Sequence, residues 1–237
     1  MSRRAPAQLS LELRRDRRGG ARRGAGRKPK RQGRPIIHAR RSEVTRHDVV
    51  HVSVRAVPGV RRLRSAAGYR AIRQAMLVCV GRPDFRIVHA SIQGNHLHLL
   101  VEADDQQALA RGLRAFMISA ARRLNRAASR RGPVFERYHM TIARTPRQTR
   151  HALAYVLNNW RRHREHLAGL RQRRTPIDPY SSGPRFDGWR TPPVRLGLPA
   201  DYQPLPTQPP RTWLLNVGWR QRYPLIGVDE IPGPAPS

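Results

Sequence analysis

The stretch Ile92-Gln93-Gly94-Asn95-His96-Leu97-His98-Leu99-Leu100-Val101-Glu102 limits what this chain can fold into more than any other. Histidine and leucine alternate through its middle, and a side-chain period of two belongs to a strand. His96 and His98 then project from one face and Leu97 and Leu99 from the other, so the two imidazoles can converge on one ion. Such a pair also occurs as ordinary surface or hydrogen-bonded histidines. The surrounding chain has to decide between the two.

The flanking patterns make this the third strand of a sheet. His47 to Val57 is a β-branched alternating run closed by Pro58-Gly59, which predicts a first strand and its turn. From Ser65 to Val80, the residues Ala71, Ile72, Ala75, Met76 and Val80 recur at helical steps, and Gly81-Arg82-Pro83 supplies a stop. Phe85 to Ile92 predicts a second strand, joined to the third through Gln93-Gly94-Asn95 as a hairpin turn or bulge. After Glu102, Asp104-Asp105 opens a long basic helix with the apolar stripe Leu109, Leu113, Phe116, Met117, Ala120 and Leu124. Arg130-Arg131-Gly132-Pro133 ends it, and Val134 to Ala143 leads into a fourth strand. Thr145 as N-cap and Pro146 at the first helical position then start a last helix. The order β-α-β-β-α-β-α predicts an α+β fold: a ferredoxin-like, split βαβ, four-stranded antiparallel sheet with helices on one face, plus an added C-terminal helix.

Charge sets the expected partner. Lys and Arg number 47 against 15 Asp and Glu, a net +32, and the excess is spread along the whole chain. That distribution suits a nucleic acid better than a membrane surface. Residues 1–45 are rich in Arg and Gly and too poor in apolar residues to offset the entropy of ordering, so they predict a disordered basic arm. Within it Gly33-Arg34-Pro35 is reminiscent of a minor-groove hook, against the plainer reading of a phosphate-binding arm. Residues 46–168 are the expected folded body. Residues 169–237 carry repeated Pro together with Trp189, Trp213 and Trp219, too costly to leave wholly exposed, and predict an extended tail packed on the body. The single Cys79 excludes an internal disulfide and sits in an apolar context that predicts a buried structural thiol. No apolar run reaches the roughly 15 to 20 residues of a signal or membrane span, so a cytoplasmic, nucleoid-associated protein is expected.

On the last helix Leu153, Val156, Leu157, Trp160 and Leu167 fall in one arc, the expected core face. Tyr155 points about 140° from its centre, with Asn159 one turn on along the same flank. A surface or interface tyrosine would look the same on an isolated helix.

Taken together, Gln93 to Glu102, Arg137-Tyr138-His139 and Ala154-Tyr155-Val156-Leu157-Asn158-Asn159 resemble the HUH endonucleases with one catalytic tyrosine. They are similar in particular to the REP-associated tyrosine transposases and single-strand insertion-sequence transposases. The resemblance covers roughly residues 47–166, with a familiar look to Ser181–Trp189 and to the basic arm. It implies cleavage and rejoining of single-stranded DNA, with Tyr155 as nucleophile and a 5′-phosphotyrosine intermediate. It also implies that His96, His98 and Asn159 hold Mg²⁺ or Mn²⁺, with Asn158 as the alternative amide. Glu102 has the parity to share the histidine face but lies ~13 Å along the strand, outside such a site. Single-stranded or hairpin DNA is the implied substrate, its backbone met by Arg27, Lys28, Lys30, Arg34, Arg114, Arg122 and Arg123. A homodimer, with the tyrosine acting in its own subunit or across subunits, stays open. Two rivals remain: a non-catalytic DNA- or RNA-binding protein, disfavoured by the absence of aromatics on the third strand, and a zinc hydrolase recruiting His139.

Overall fold

The computed structural model describes residues 43–60, 62–167 and 175–233. Four strands, β1 (Val49–Arg55), β2 (Phe85–Ile92), β3 (His96–Ala103) and β4 (His139–Ala143), form one sheet in the order β2-β3-β1-β4, every pairing antiparallel. The helices α1 (Ala66–Met76) and α2 (Gln106–Ala127) follow β1 and β3, and α3 (Pro146–Arg162) follows β4. This is the expected α+β, ferredoxin-like sheet.

Alternation along the strands decides which helix goes where. Val50, Val52 and Val54 of β1 and Leu97, Leu99 and Val101 of β3 share one core with Ile72 and Met76 of α1 and Leu109, Leu113 and Phe116 of α2. The opposite parity, Val49 and Leu100, packs with Leu153, Val156 and Leu157 of α3. So α1 and α2 cover one face, and α3 covers the face that carries the histidines. Ser65, Asp105 and Thr145 cap the three helices through their side-chain oxygens, each satisfying a free N–H of the first turn. Gly112 lets α2 lie directly on β2: a Cβ there would stand 2.2 Å from Cγ of Phe85.

Helix ends differ from the sequence expectation. α1 stops at Met76, and Leu77–Cys79 forms a tighter 3₁₀ turn. Residues three apart eclipse in such a turn, so Cys79 follows Met76 into the core while Val80 is turned out, 48% exposed. Burial pushes the Cys79 thiol up to about 11. α3 ends at Arg162, and Leu167, expected on its core face, lies exposed in the 3₁₀ turn Glu165–Leu167. Order also begins before residue 46: Val44 is buried in the core, and Thr45 bridges to Asp105.

Much of the segment 175–233 forms the outer wall of α3. Ile177, Phe186, Trp189, Leu214, Leu215, Trp219 and Ile226 join the α3 core. Leu214–Gly218 is a π-helical turn running into the short helix α4 (Trp219–Arg222). Trp189 and Trp219 are buried, and Trp213 is 54% exposed, so none of the three stands wholly in solvent. Buried Glu102 fastens this segment to the sheet, accepting hydrogen bonds from the Arg211 and Thr212 backbone N–H groups and from the Thr212 hydroxyl at 2.8–2.9 Å. Along the outer edge of β2, Ile92 N donates to Tyr180 O and Ser182 N donates to Ala90 O.

Candidate catalytic site

β3 presents His96 and His98 towards α3, with ring centroids 4.7 Å apart. Along α3 the residues Tyr155, Asn159 and His163 follow at four-residue steps and make a single stripe. The Tyr155 ring lies 5.1 Å from that of His98, and the His163 ring 5.1 Å from that of His96. The stripe therefore runs along the histidine pair with the Asn159 amide midway. Both polar atoms of Asn159 are buried without a hydrogen-bond partner, and so is Nε2 of His98. Buried polar atoms are rarely left unpaired, so these three atoms have bonding capacity to spare for a water or a bound group.

Tyr155 leaves the apolar stripe of α3, as its helical phase predicts, yet it does not face solvent. It is 7% exposed and edge-on to His51 at 5.5 Å as well as to His98. The residues from Ala152 to Trp160 are all buried, because the chain after residue 175 covers the side of α3 that an isolated domain would leave open. That cover also separates the two asparagines. Asn158 Nδ2 donates to Gly227 O at 2.9 Å and is committed to the outer wall, which leaves Asn159 at the histidines.

His51, on β1, was not singled out by the sequence. Its Nε2 lies 3.1 Å from His98 Nδ1, and the two rings stack. The tautomer in which His98 Nδ1–H donates leaves the Nε2 lone pair free on the side of α3. His96 Nδ1 is 2.8 Å from Asn95 Oδ1, which can only accept, so His96 Nε2 also keeps its lone pair. Burial, with the neighbouring positive groups, lowers His51 and His96 to about 4 and puts His98 well below its ordinary value. All three are neutral near pH 7. Burial raises the Tyr155 phenol, opposed by Arg162, so the hydroxyl is protonated at rest.

Two imidazole nitrogens and an amide oxygen form a neutral donor set with coordination positions to spare, which fits a divalent ion that must also take substrate oxygens. Among the described residues no three His, Cys, Asp or Glu side chains gather as a ligand cluster. His139, the zinc-hydrolase candidate, is exposed at the start of β4 with β1 between it and β3.

The histidines open into a cleft of about 660 Å³ lined by Arg55, Arg62, His96, His98, His163 and Glu165. Glu165 pairs with Arg62 and lies 3.9 Å from Arg64. The arginines named from the sequence stand elsewhere. Arg114 and Arg122 are exposed on α2, and Arg123 is half-buried with Nε 3.3 Å from Ser119 Oγ. α2 covers the other face, so the sheet separates these three from the cleft, where the basic residues are Arg55 and Arg62. Arg27, Lys28, Lys30 and Arg34 lie outside the described residues.

No family model matches the chain, and no curated protein matches it. Among solved structures it is similar to that of a REP-associated tyrosine transposase bound to a REP hairpin. The match covers 51% of this chain and 70% of that one, with a TM-score of 0.42 and 16% identity. No helix among the described residues is long and apolar enough to cross a membrane.

Proposed function

We propose that this chain cuts and rejoins single-stranded DNA in a transposase-like reaction, with Tyr155 as nucleophile and hairpin-bearing DNA as substrate. One observation carries the reading: Tyr155, Asn159 and His163 on α3 run along His98 and His96 on β3, with the polar atoms between them buried and unpartnered.

His96 Nε2, His98 Nε2 and Asn159 Oδ1 would hold Mg²⁺ or Mn²⁺, which when bound supplies a Lewis acid for one nonbridging oxygen of the scissile phosphate. The side chains do the remaining work. Arg55 and Arg62 on the cleft wall attract the DNA backbone, and Glu165 fixes the Arg62 guanidinium in place. α3, enclosed on both sides, holds Tyr155 beside the histidines. Its Oη forms a bond to phosphorus as the bond to the 3′-oxygen breaks; the phenolic proton is lost and the 3′-oxygen gains one. One phosphodiester replaces another, so the step runs backwards as readily, which suits rejoining. A flexible single strand allows the phosphate to come in line with a nucleophile that cannot move. Tyr155 meets His98 of its own chain, which supports a tyrosine acting in its own subunit.

The test is a hairpin oligonucleotide with a labelled single-stranded flank, incubated with Mn²⁺ and then denatured. Mass spectrometry should find nucleotide on the Tyr155 peptide. Tyr155→Phe should abolish the adduct while DNA affinity is kept, and His98→Ala should do the same. An adduct on Tyr138, or undiminished adduct from Tyr155→Phe, rejects the reading.

A further inference from the structure

A second cavity, of about 510 Å³, lies between α1 and the segment after residue 175, in the size range of small-ligand sites. Its walls include Tyr69, Tyr180 and Tyr202, with Arg70, Arg73 and Asp201 beside them. The Tyr69 ring is edge-on to Tyr180 at 5.6 Å and tilted against Tyr202 at 5.9 Å. Two of the phenols are tied back to main chain: Tyr69 donates to Gln203 O at 2.8 Å and Tyr202 to Pro179 O at 2.9 Å. Hydroxyls anchored in this way fix the Tyr69 and Tyr202 rings at the cavity wall.

The cavity is joined to the histidine cleft through Arg64 and Ile92. Arg64 stacks its guanidinium 4.5 Å from the centre of the Tyr180 ring, donates to Ile92 O and pairs with buried Asp178. It also lies 3.9 Å from Glu165 on the cleft wall. Ile92 in turn donates its N–H to Tyr180 O and immediately precedes Gln93-Gly94-Asn95, which line the cleft beside His96. A polynucleotide whose phosphate lies in the cleft thus has a rigid aromatic chamber within the same framework.

We infer that this chamber receives one unpaired nucleobase of the DNA strand whose phosphate occupies the histidine cleft. The inference rests on the single-stranded DNA reading above. Every base has an aromatic face, and stacking on fixed tyrosine rings retains it whatever its sequence. Arg70, exposed at the rim, and Arg73 supply positive charge for the attached phosphates. The Asp201 carboxylate favours a base edge that carries N–H donors.

Binding is measured by fluorescence anisotropy in a Tyr155→Phe background, so that no cleavage intervenes. Two probes are compared, a blunt hairpin and the same hairpin with a mixed-sequence single-stranded extension. Tyr202→Leu should weaken the extended probe about tenfold, at the low end of what losing one base stack costs, and leave the blunt probe unchanged. An abasic site at one position of the extension should weaken the parent equally and cost the Tyr202→Leu variant nothing more. Tyr202→Phe keeps the ring and should keep the preference, whereas a merely structural tie to Pro179 would be lost in both variants. Arg70→Gln, at an exposed position, should reduce the preference severalfold without touching the fold. Equal loss on both probes, no sensitive abasic position, or a Tyr202→Phe variant that behaves like Tyr202→Leu overturns the inference. A missing Tyr155 adduct beside an intact preference for the extension rejects the cleavage reading and leaves the chamber standing; an adduct without that preference does the reverse.

Discussion

His51 reaches His98 through a 3.1 Å contact, and that contact selects which nitrogen of His98 faces α3. Removing such a partner from a metal-binding histidine lowers affinity by about 10- to 100-fold. His51→Phe should therefore weaken Mn²⁺ binding by that factor in titration calorimetry while the melting curve stays cooperative. The same residue has a pH signature. Its folded value of about 4 lies below the 6.5 of the free side chain, so between those values the unfolded chain binds the extra proton. Stability is complete above about pH 6.5 and falls as pH drops towards about 4, at about 1.4 kcal/mol per pH unit for each such histidine. His98 acts in the same direction. Urea midpoints should therefore fall between about pH 7 and about pH 5, and His51→Phe should flatten that slope. At this scale His96, His98, Tyr155 and Asn159 were legible because strand parity and helical phase fix their directions. His51 and Arg55 alternate with Val50, Val52 and Val54 and so share the histidine face, but alternation alone does not distinguish a functional polar residue from a solvated one. His163 caps the C-terminal end of α3 in phase with Tyr155 and Asn159, and Glu165 comes from the turn beyond it, where no period applies.

Among the elements, α2 depends on a glycine. Gly112 faces Phe85 so closely that an added methyl would stand 2.2 to 2.5 Å from three ring atoms. Gly112→Ala should cost about 1–3 kcal/mol by overpacking, despite alanine's better helix propensity, and denaturant unfolding should show it. The sequence disclosed the element order because each segment carries its own period and its own cap: Ser65, Asp105 and Thr145 all cap as hydroxyl or carboxylate residues do. It did not disclose where α1 and α3 stop. Both helices give way to 3₁₀ turns, whose onset is set by what the last residues pack against rather than by a stop signal of their own.

Across the whole molecule, α3 is the middle layer between the sheet and the residues after 175. The sequence signalled a packed tail through its tryptophans but not its seat, since irregular chain has no period from which a face could be read. Glu102 bears much of the attachment, and Glu102→Gln replaces one carboxylate acceptor by an amide donor facing N–H groups. A loss of about 1–3 kcal/mol is expected, read as a lower melting temperature, with Trp219 becoming accessible to a fluorescence quencher. The layering also has a consequence in time. During synthesis the strands and α3 are made before the residues that enclose the outer side of α3. A nascent chain thus holds Tyr155 on a helix with one bare apolar side, and that side stays bare until the segment through Ile226 has been made.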